Sequence, residues 1–400
     1  MNVLFLTLSN MENVNERGIY TDLVRELARI GINMYVVSPR EKRTNLPTEL
    51  SIIENIKILK VKTGNITKVN FIEKGLSTLS IEKQYLKAVK RYFSDVRFDM
   101  VMYSTPPITF EKVVKYFKQK HQSKTYLVLK DIFPQNAVDI NVIKEGSLIW
   151  KHFRKKEKRL YANSDMIGCM SKGNVEYVLK HNPFIDKKKV EVFPNSIEPL
   201  ERVSRAKKNK ELFEKYNIPQ NSTLFVYGGN LGKPQGIEFL LEVADNFHKV
   251  DNGYLLIVGA GTEYEKIRHH LDSIQTTNVK LFNKMPKNEY DHLLEIADVG
   301  LIFLDKRFTI PNFPSRLTAY MEYSIPVLAA TDINTDLKDV LKESGSGLWS
   351  ESGDLNTFID NAIKLSSDKR LRHQMGEFGR AYLEENYDIK KTVEIIIKHL

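Results

Sequence analysis

The chain of 400 residues has one cysteine, Cys169, and two tryptophans. A single thiol excludes an internal disulfide framework and a multi-cysteine metal site. No apolar run approaches the roughly 18 residues that a membrane-spanning helix needs. Asp-x-Asp, the usual acidic pair for a divalent ion, is missing. The nearest approximations, Asp332/Asp336 and Asp336/Asp339, read as residues that cap and solubilise a helix. The opening MNVLFLTLSN is apolar but has neither a basic leader nor a small-residue cleavage site, so a core strand is expected there rather than a signal peptide. This profile sets the expectation of a cytoplasmic protein without a metal or organic cofactor.

What is present is charge, unevenly placed. Residues 1–200 hold 34 Lys and Arg against 21 Asp and Glu, and the remainder 26 against 29. A basic half implies an anionic partner, such as a membrane surface, a nucleic acid or a phosphorylated substrate, or else serves solubility alone. No recognisable nucleic-acid motif accompanies it, so no nucleic-acid partner is expected.

The length suits two domains of about 150–200 residues each. Short β-rich runs alternate with amphipathic stretches, the rhythm of βαβ units in an α/β protein. In the first half strands are expected at Val3–Leu8, Met34–Ser38, Ile52–Val61, Met100–Tyr103, Thr125–Leu129, Met166–Met170 and Val190–Phe193, with helices at Ile19–Arg29, Val69–Phe93, Phe110–Lys120 and Leu148–Tyr161. In the second half strands are expected at Leu224–Tyr227, Tyr254–Val258, Val279–Phe282, Val299–Phe303 and Val327–Ala329. A polar join falls near Pro194 to Lys210, and the tail from Lys369 reads as two helices broken near Tyr387-Asp388.

Two glycine-rich turns follow strands in the second half. The first is Gly228-Gly229-Asn230-Leu231-Gly232-Lys233-Pro234-Gln235-Gly236, and the second is Gly259-Ala260-Gly261-Thr262-Glu263. Glycines admit close backbone approach, helix N-termini favour phosphate, and Lys233 is a point charge suited to a diphosphate. Position 264 is Tyr, so the second turn lacks the third glycine of a dinucleotide fingerprint. Further on, Asn312-Phe313-Pro314-Ser315-Arg316-Leu317 opens a helix. Pro and Ser suit a helix start, whereas Arg316 opposes the helix dipole unless an anion sits there.

The stretch Tyr227–Ile237 around the first turn and the stretch Phe308–Ala330 around Arg316, with Val192–Glu198 before them, resemble bacterial glycosyltransferases of family 4, in the branch of capsule and O-antigen enzymes of the N-acetylfucosaminyltransferase type. The resemblance implies the GT-B fold, with two Rossmann-like doubly wound domains facing a cleft. Residues 1–200 would be the acceptor-binding domain, 201–375 the nucleotide-sugar domain, and 376–400 helices crossing back to the first. It implies donor contacts at Gly229, Asn230, Gly232, Gln235, Gly259, Gly261, Met285, Pro314, Ser315 and Leu317, and diphosphate stabilisation by Lys233 and Arg316. Departures stand out. Many members carry Arg at the position of Asn230 and Lys at that of Gln235, and the family's two glutamates fall on Pro311 and Ala319. Glu322, one turn beyond Ala319, is the candidate replacement for the ribose contact.

On the acceptor side, Asn10 and Gly18 match the family's first loop, and Lys130-Asp131 its basic-Asp segment, with Lys where many members have His. Asp131 is the candidate for orienting the acceptor hydroxyl or taking its proton. Capping the next turn is the competing role. His152 and His181 read as surface residues.

The implied reaction is retaining transfer of a sugar, of N-acetylated amino or fucosamine type, from a UDP-sugar to a polyprenyl-diphosphate-linked acceptor in capsular or other surface polysaccharide synthesis. Two basic, aromatic-bearing stretches suit attachment to an anionic membrane at its inner face. One is Leu148, Ile149, Trp150, Phe153 and Leu160 among Lys151, Arg154, Lys155, Lys156, Lys158 and Arg159. The other is Phe71, Leu76, Leu79 and Tyr85 among Lys68, Lys74, Lys83, Lys87, Lys90 and Arg91. Core-packed helices with solvated basic faces are the alternative. A nucleotide-sugar 2-epimerase of the same fold, or a non-catalytic basic binding protein, are the competing functions.

Overall fold

The computed structural model describes residues 1–66, 71–202 and 210–400, apart from the side chains of 71–76 and 210. The chain divides into two compact units, one of Met1–Glu198 with Asp388–Leu400, the other of Pro199–Tyr387.

In the first unit the strands are β1 Asn2–Leu6, β2 Asn33–Glu41, β3 Glu49–Ile53, β4 Ile56–Thr63, β5 Met100–Ser104, β6 Lys124–Leu129, β7 Met166–Cys169 and β8 Val190–Val192. They form one sheet in the order β3-β4-β2-β1-β5-β6-β7-β8, parallel except for β3. The run Ile52–Val61, expected as one strand, is a hairpin. Glu54 takes φ 52° and the chain reverses at Glu54-Asn55. An apolar run with a two-residue polar break reads as continuous in sequence, and only the left-handed turn residue separates its arms.

In the second unit β9 Thr223–Asn230, β10 Gly253–Ala260, β11 Val279–Phe282, β12 Val299–Phe303, β13 Val327–Thr331 and β14 Gly347–Glu351 form an all-parallel sheet in the order β11-β10-β9-β12-β13-β14. β12 and β13 are buried at every residue, as strands covered by helices on both faces must be. Aromatics fill this core, with Phe303 and Phe358 rings 5.3 Å apart.

The tail forms helices Lys369–Asn386 and Ile389–Ile397, broken at Tyr387-Asp388 as expected. Asp388 caps the second helix by accepting from the Lys390 amide at 2.9 Å. Ile389, Val393 and Ile396 bury into the first unit's core beside Val3, Phe5 and Leu27. Helix Phe71–Tyr92 is present. Its expected start at Val69, Lys68, the side chains of Phe71, Lys74 and Leu76, and part of the polar join to Lys210 lie outside what is described.

Candidate functional site

In each sheet the chain winds one way and then the other, and the order reverses between β1 and β5 and between β9 and β12. Ligands of open α/β sheets lie beyond the carboxyl ends of the strands at such reversals. The loop Gly229–Gly236 leaves β9, and the segment Leu304–Ser315 leaves β12. These are the two halves of a candidate site in the second unit.

The glycines here let one backbone lie on another. Gly229 pairs with Gly259 in the ladder. A Cβ on Gly259 would stand 2.1 Å from the Gly229 carbonyl oxygen, and one on Gly261 equally close to that of Leu231. The loop is then pinned, with the Leu231 amide donating to Ala260 O at 3.0 Å and the Glu263 amide donating to Leu231 O at 2.9 Å. Gly236, at φ 57°, presses on the Leu304 carbonyl and joins the two halves.

Arg316 opens the helix Arg316–Glu322. Seven residues make a weak dipole, so the charge misfit expected at its N-terminus is not what holds Arg316. Its guanidinium runs back across the order reversal. It stacks on the Tyr227 ring at 4.5 Å, donates through Nη2 to Gln235 Oε1 at 3.1 Å, and lies where a side chain on Gly229 would be, 2.8 Å from that Cβ. Nη1 is buried with no hydrogen-bond partner in the protein. A buried charged donor without a partner is costly, and an oxyanion that reached Nη1 would satisfy it.

The surrounding tyrosines escaped the sequence reading. Tyr227 donates to Asn230 O at 2.8 Å, Tyr320 to the carbonyls of Val226 and Leu301 at 3.1 Å each, and Tyr290 occupies the space a Gly228 side chain would need. The doubled Gly228-Gly229 was the available signal, since two bare positions in succession leave room for two large groups. Asn230 and Lys233 are exposed at the loop tip, and Gly232 abuts the Asn230 side chain. Met285 is half-buried in the loop after β11, and Leu317 is core. Pro314 is half-buried beside an exposed Ser315 whose hydroxyl makes no capping bond, contrary to the favourable cap expected there. Glu322 lies six residues along the helix from Arg316, about 240° round its axis. Its carboxylate accepts from the Leu200 amide at 2.8 Å. Asp332 accepts from the amides of Asn334 and Thr335, whose side chains hold the carbonyls of Phe308 and Asn312, bracing the segment before Arg316.

In the first unit the carboxyl ends of β1, β5 and β6 are linked. Ser104 donates to Thr7 Oγ1 at 3.1 Å, and the amides of Lys130 and Asp131 donate to Thr105 Oγ1 at 3.0 and 3.1 Å. Asp131 accepts from Asn136 Nδ2 at 2.5 Å, so its carboxylate braces the next turn. Lys130 Nζ donates to the carbonyls of Phe193 and Pro194 at 3.4 and 3.3 Å over the Phe193 ring, and burial pulls its ammonium down to about 7. Asn10 is exposed after β1. Gly18 caps helix Ile19–Arg29 in extended conformation, its amide donating to Asp22 Oδ1 at 3.0 Å.

Residues 208–382 match the family described as Glycosyl transferases group 1. A probable glycosyltransferase, WbjE of Pseudomonas aeruginosa, is 24% identical over 332 residues, 80% of this chain and 78% of that protein. The chain is a glycosyltransferase. Two solved structures share its fold, which is GT-B. The sucrose-phosphate synthase of Thermosynechococcus elongatus superposes at a TM-score of 0.76 with 15% identity, over 100% of this chain and 98% of its own. Anabaena HepE in complex with UDP-glucose superposes at 0.71 with 12% identity, over 100% and 99%. The order reversal that Arg316 crosses lies inside the matched region of this glycosyltransferase.

One surface of the enzyme outside that region is notable. On helix Leu148–Asn163, Leu148 is 84% exposed and Ile149 is exposed, beside a groove of about 560 Å³ lined by Trp150, Lys151, Arg154, Lys155, Lys158 and Phe184. Leu160 is core, and Phe153 packs on Phe133 with ring centroids 5.0 Å apart. In the other stretch Tyr85 is buried and donates to Thr7 O at 2.9 Å, so it belongs to the core rather than to a membrane face. Lys83, Lys87, Lys90 and Arg91 are exposed, as are His152 and His181. No helix among the described residues is long and apolar enough to cross a membrane, and none of their His, Cys, Asp or Glu side chains group to hold a metal ion.

Proposed function

We propose that the enzyme transfers a sugar, with retention of anomeric configuration, from a UDP-sugar to a polyprenyl-diphosphate-linked acceptor in surface polysaccharide synthesis. The observation carrying this reading is the Arg316 guanidinium, which lies against Gly229 through Nη2 and keeps Nη1 buried and unpartnered, inside the matched region. The donor diphosphate is held by Arg316, by the backbone of Gly229 to Gly232, and by Lys233. Gly259 and Gly261 keep the loop in place, Met285 and Pro314 border the nucleoside, and Leu317, which is core, makes no donor contact. HepE, of like fold, has been crystallised with UDP-glucose, which favours uridine as the base.

In the reaction the acceptor oxygen bonds to the anomeric carbon on the face from which the diphosphate departs. The bond from that carbon to the diphosphate oxygen breaks, and the acceptor proton passes to the departing diphosphate. Arg316 and Lys233 stabilise the charge that grows on the leaving group. Asp131 and Lys130 orient the acceptor hydroxyl. The sugar is of N-acetylated amino or fucosamine type, following the resemblance to capsule enzymes. The exposed Leu148 and Ile149 beside the basic groove seat the enzyme on the anionic inner face of the membrane, where such acceptors reside.

The test is nucleotide release from a panel of UDP-, GDP- and dTDP-sugars, with and without lipid-linked acceptor. Arg316→Ala should lower turnover by about 10²–10³-fold, the loss seen when one preorganised donor to a developing charge is removed, with the circular dichroism spectrum unchanged. Undiminished turnover in Arg316→Ala and in Lys233→Ala would overturn the donor site. Release from GDP-sugars alone would overturn the choice of uridine.

A further inference from the structure

Three helices of the first unit share one outer face. Phe71–Tyr92 leads from β4 to β5, Glu111–His121 from β5 to β6, and Leu148–Asn163 into β7. Right-handed crossovers in one direction place all three on the same side of the sheet. The first packs beside the second, and the second beside the third. Their exposed residues repeat a single charge. Lys83, Lys87 and Lys90 on the first helix, and Lys151, Lys155 and Lys158 on the third, are exposed at steps of four and then three residues. Such steps line them along one side of each helix. Lys112, Lys115 and Lys120 are exposed on the helix between.

Among the described side chains, the acidic residues of these helices are Glu82, Glu111 and Glu157, and all three turn inward. Glu82 is 5% exposed and accepts from the Lys112 amide. Glu157 is 3% exposed and accepts from Arg154 and Tyr161. Glu111 is half-buried, 4.0 Å from Arg159. No carboxylate among the described residues pairs with the two exposed lysine rows. Like charges four apart destabilise a helix, and the crowding continues between helices, where Lys90 and Lys120 approach one ring, that of Tyr116, at 3.8 and 5.6 Å. Lys112 stands in a first turn, where the helix dipole disfavours a cation. A surface kept for solubility intersperses both signs, and this one does not.

The same face has apolar points. Leu148 and Ile149 begin the third helix, and Phe184, also exposed, lines the groove along it. A polyanion in water, such as a nucleic acid, gives these side chains nothing to enter. A bilayer offers headgroup charge to the lysines and hydrocarbon to the apolar points. We propose that the whole three-helix face is a docking surface for an anionic phospholipid bilayer, with headgroup phosphates along the lysine rows. The lipid partner rests on the membrane seat of Leu148 and Ile149, whereas the reach of the face across three helices does not.

Partitioning of the full chain onto phosphatidylcholine vesicles with and without phosphatidylglycerol tests it. The variant combining Lys87→Gln, Lys115→Gln and Lys120→Gln removes charge from the two helices that do not carry Leu148. At low salt it should bind the anionic vesicles about 10²-fold more weakly than wild type, since each cation near such a surface contributes about 1 kcal/mol. Its thermal midpoint should hold or rise, because the repulsion between Lys83 and Lys87 is relieved, so weaker binding is separated from loss of fold. Binding equal to wild type overturns the three-helix face and leaves the seat at Leu148 and Ile149 standing. A wild type indifferent to phosphatidylglycerol overturns both. Duplex DNA bound as tightly as the vesicles at the same salt overturns the choice of a bilayer.

Discussion

Gly261 and Arg316 serve the same loop in different ways. Gly261 is needed because the Leu231 carbonyl lies where a Cβ would stand, so Gly261→Ala forces the main chain to move. Overpacking of this kind costs about 1–3 kcal/mol, and both the thermal midpoint and nucleotide affinity should fall. Arg316→Ala should lose affinity and turnover while the midpoint holds within a few degrees, which differential scanning fluorimetry with and without UDP will separate. Lys130 makes a third expectation, with a sign. Burial lowers its ammonium from 10.5 to about 7. The unfolded chain keeps that proton to near 10.5 and the folded one releases it near 7, so stability rises with pH across that window. Urea midpoints at pH 6.5 and 9.5 should differ in that direction for the wild type and differ less in Lys130→Met. Cys169 is fully buried and its thiol is pushed up to about 12 by desolvation, so thiol reagents should modify it only after unfolding.

Among the elements, strands and helices of the expected type appear where the apolar period is long, and the differences have identifiable causes. The Ile52–Val61 run hid a hairpin because polarity alone does not show the positive φ at Glu54. Tyr85 looked like part of a basic, aromatic face, but on the described turns of that helix Ile81, Tyr85, Ala88 and Val89 point inward while Leu79 stays exposed. Helix Leu148–Asn163 keeps the opposite balance, since Leu148 and Ile149 meet solvent at its first turn. Replacing both with Ser should change stability by less than about 0.5 kcal/mol, as surface changes do, and abolish sedimentation with anionic vesicles at low salt. Retained sedimentation would assign the attachment to the basic residues alone.

For the whole molecule, the chain's last residues belong to its first unit. Ile389, Val393 and Ile396 close a core begun at Val3, and burying such side chains is worth about 1.5–3 kcal/mol each. A chain ending at Asn386 should therefore lose a thermal transition that the full chain shows, while UDP still raises the midpoint of the other. Retention of both transitions would show that the tail is dispensable. The second unit was the more legible of the two because glycines at fixed offsets from strands report close backbone approach directly. The tyrosines around Arg316 and the union of three helices in one basic face were not legible, because residues far apart in the chain meet there only through strand order.

By itself the sequence determined the α/β rhythm, the two glycine turns and the break at Tyr387-Asp388, since each follows from local period, backbone freedom or a cap. Only the tertiary structure decided that Arg316 reaches across the reversal between β9 and β12 to Gly229, that Glu322 is bonded to the Leu200 amide, and that three lysine-bearing helices share one face. The reason is physical: a side chain's partner is set by which strands lie adjacent, and adjacency in a parallel sheet is a property of the crossovers, written in no single stretch of chain.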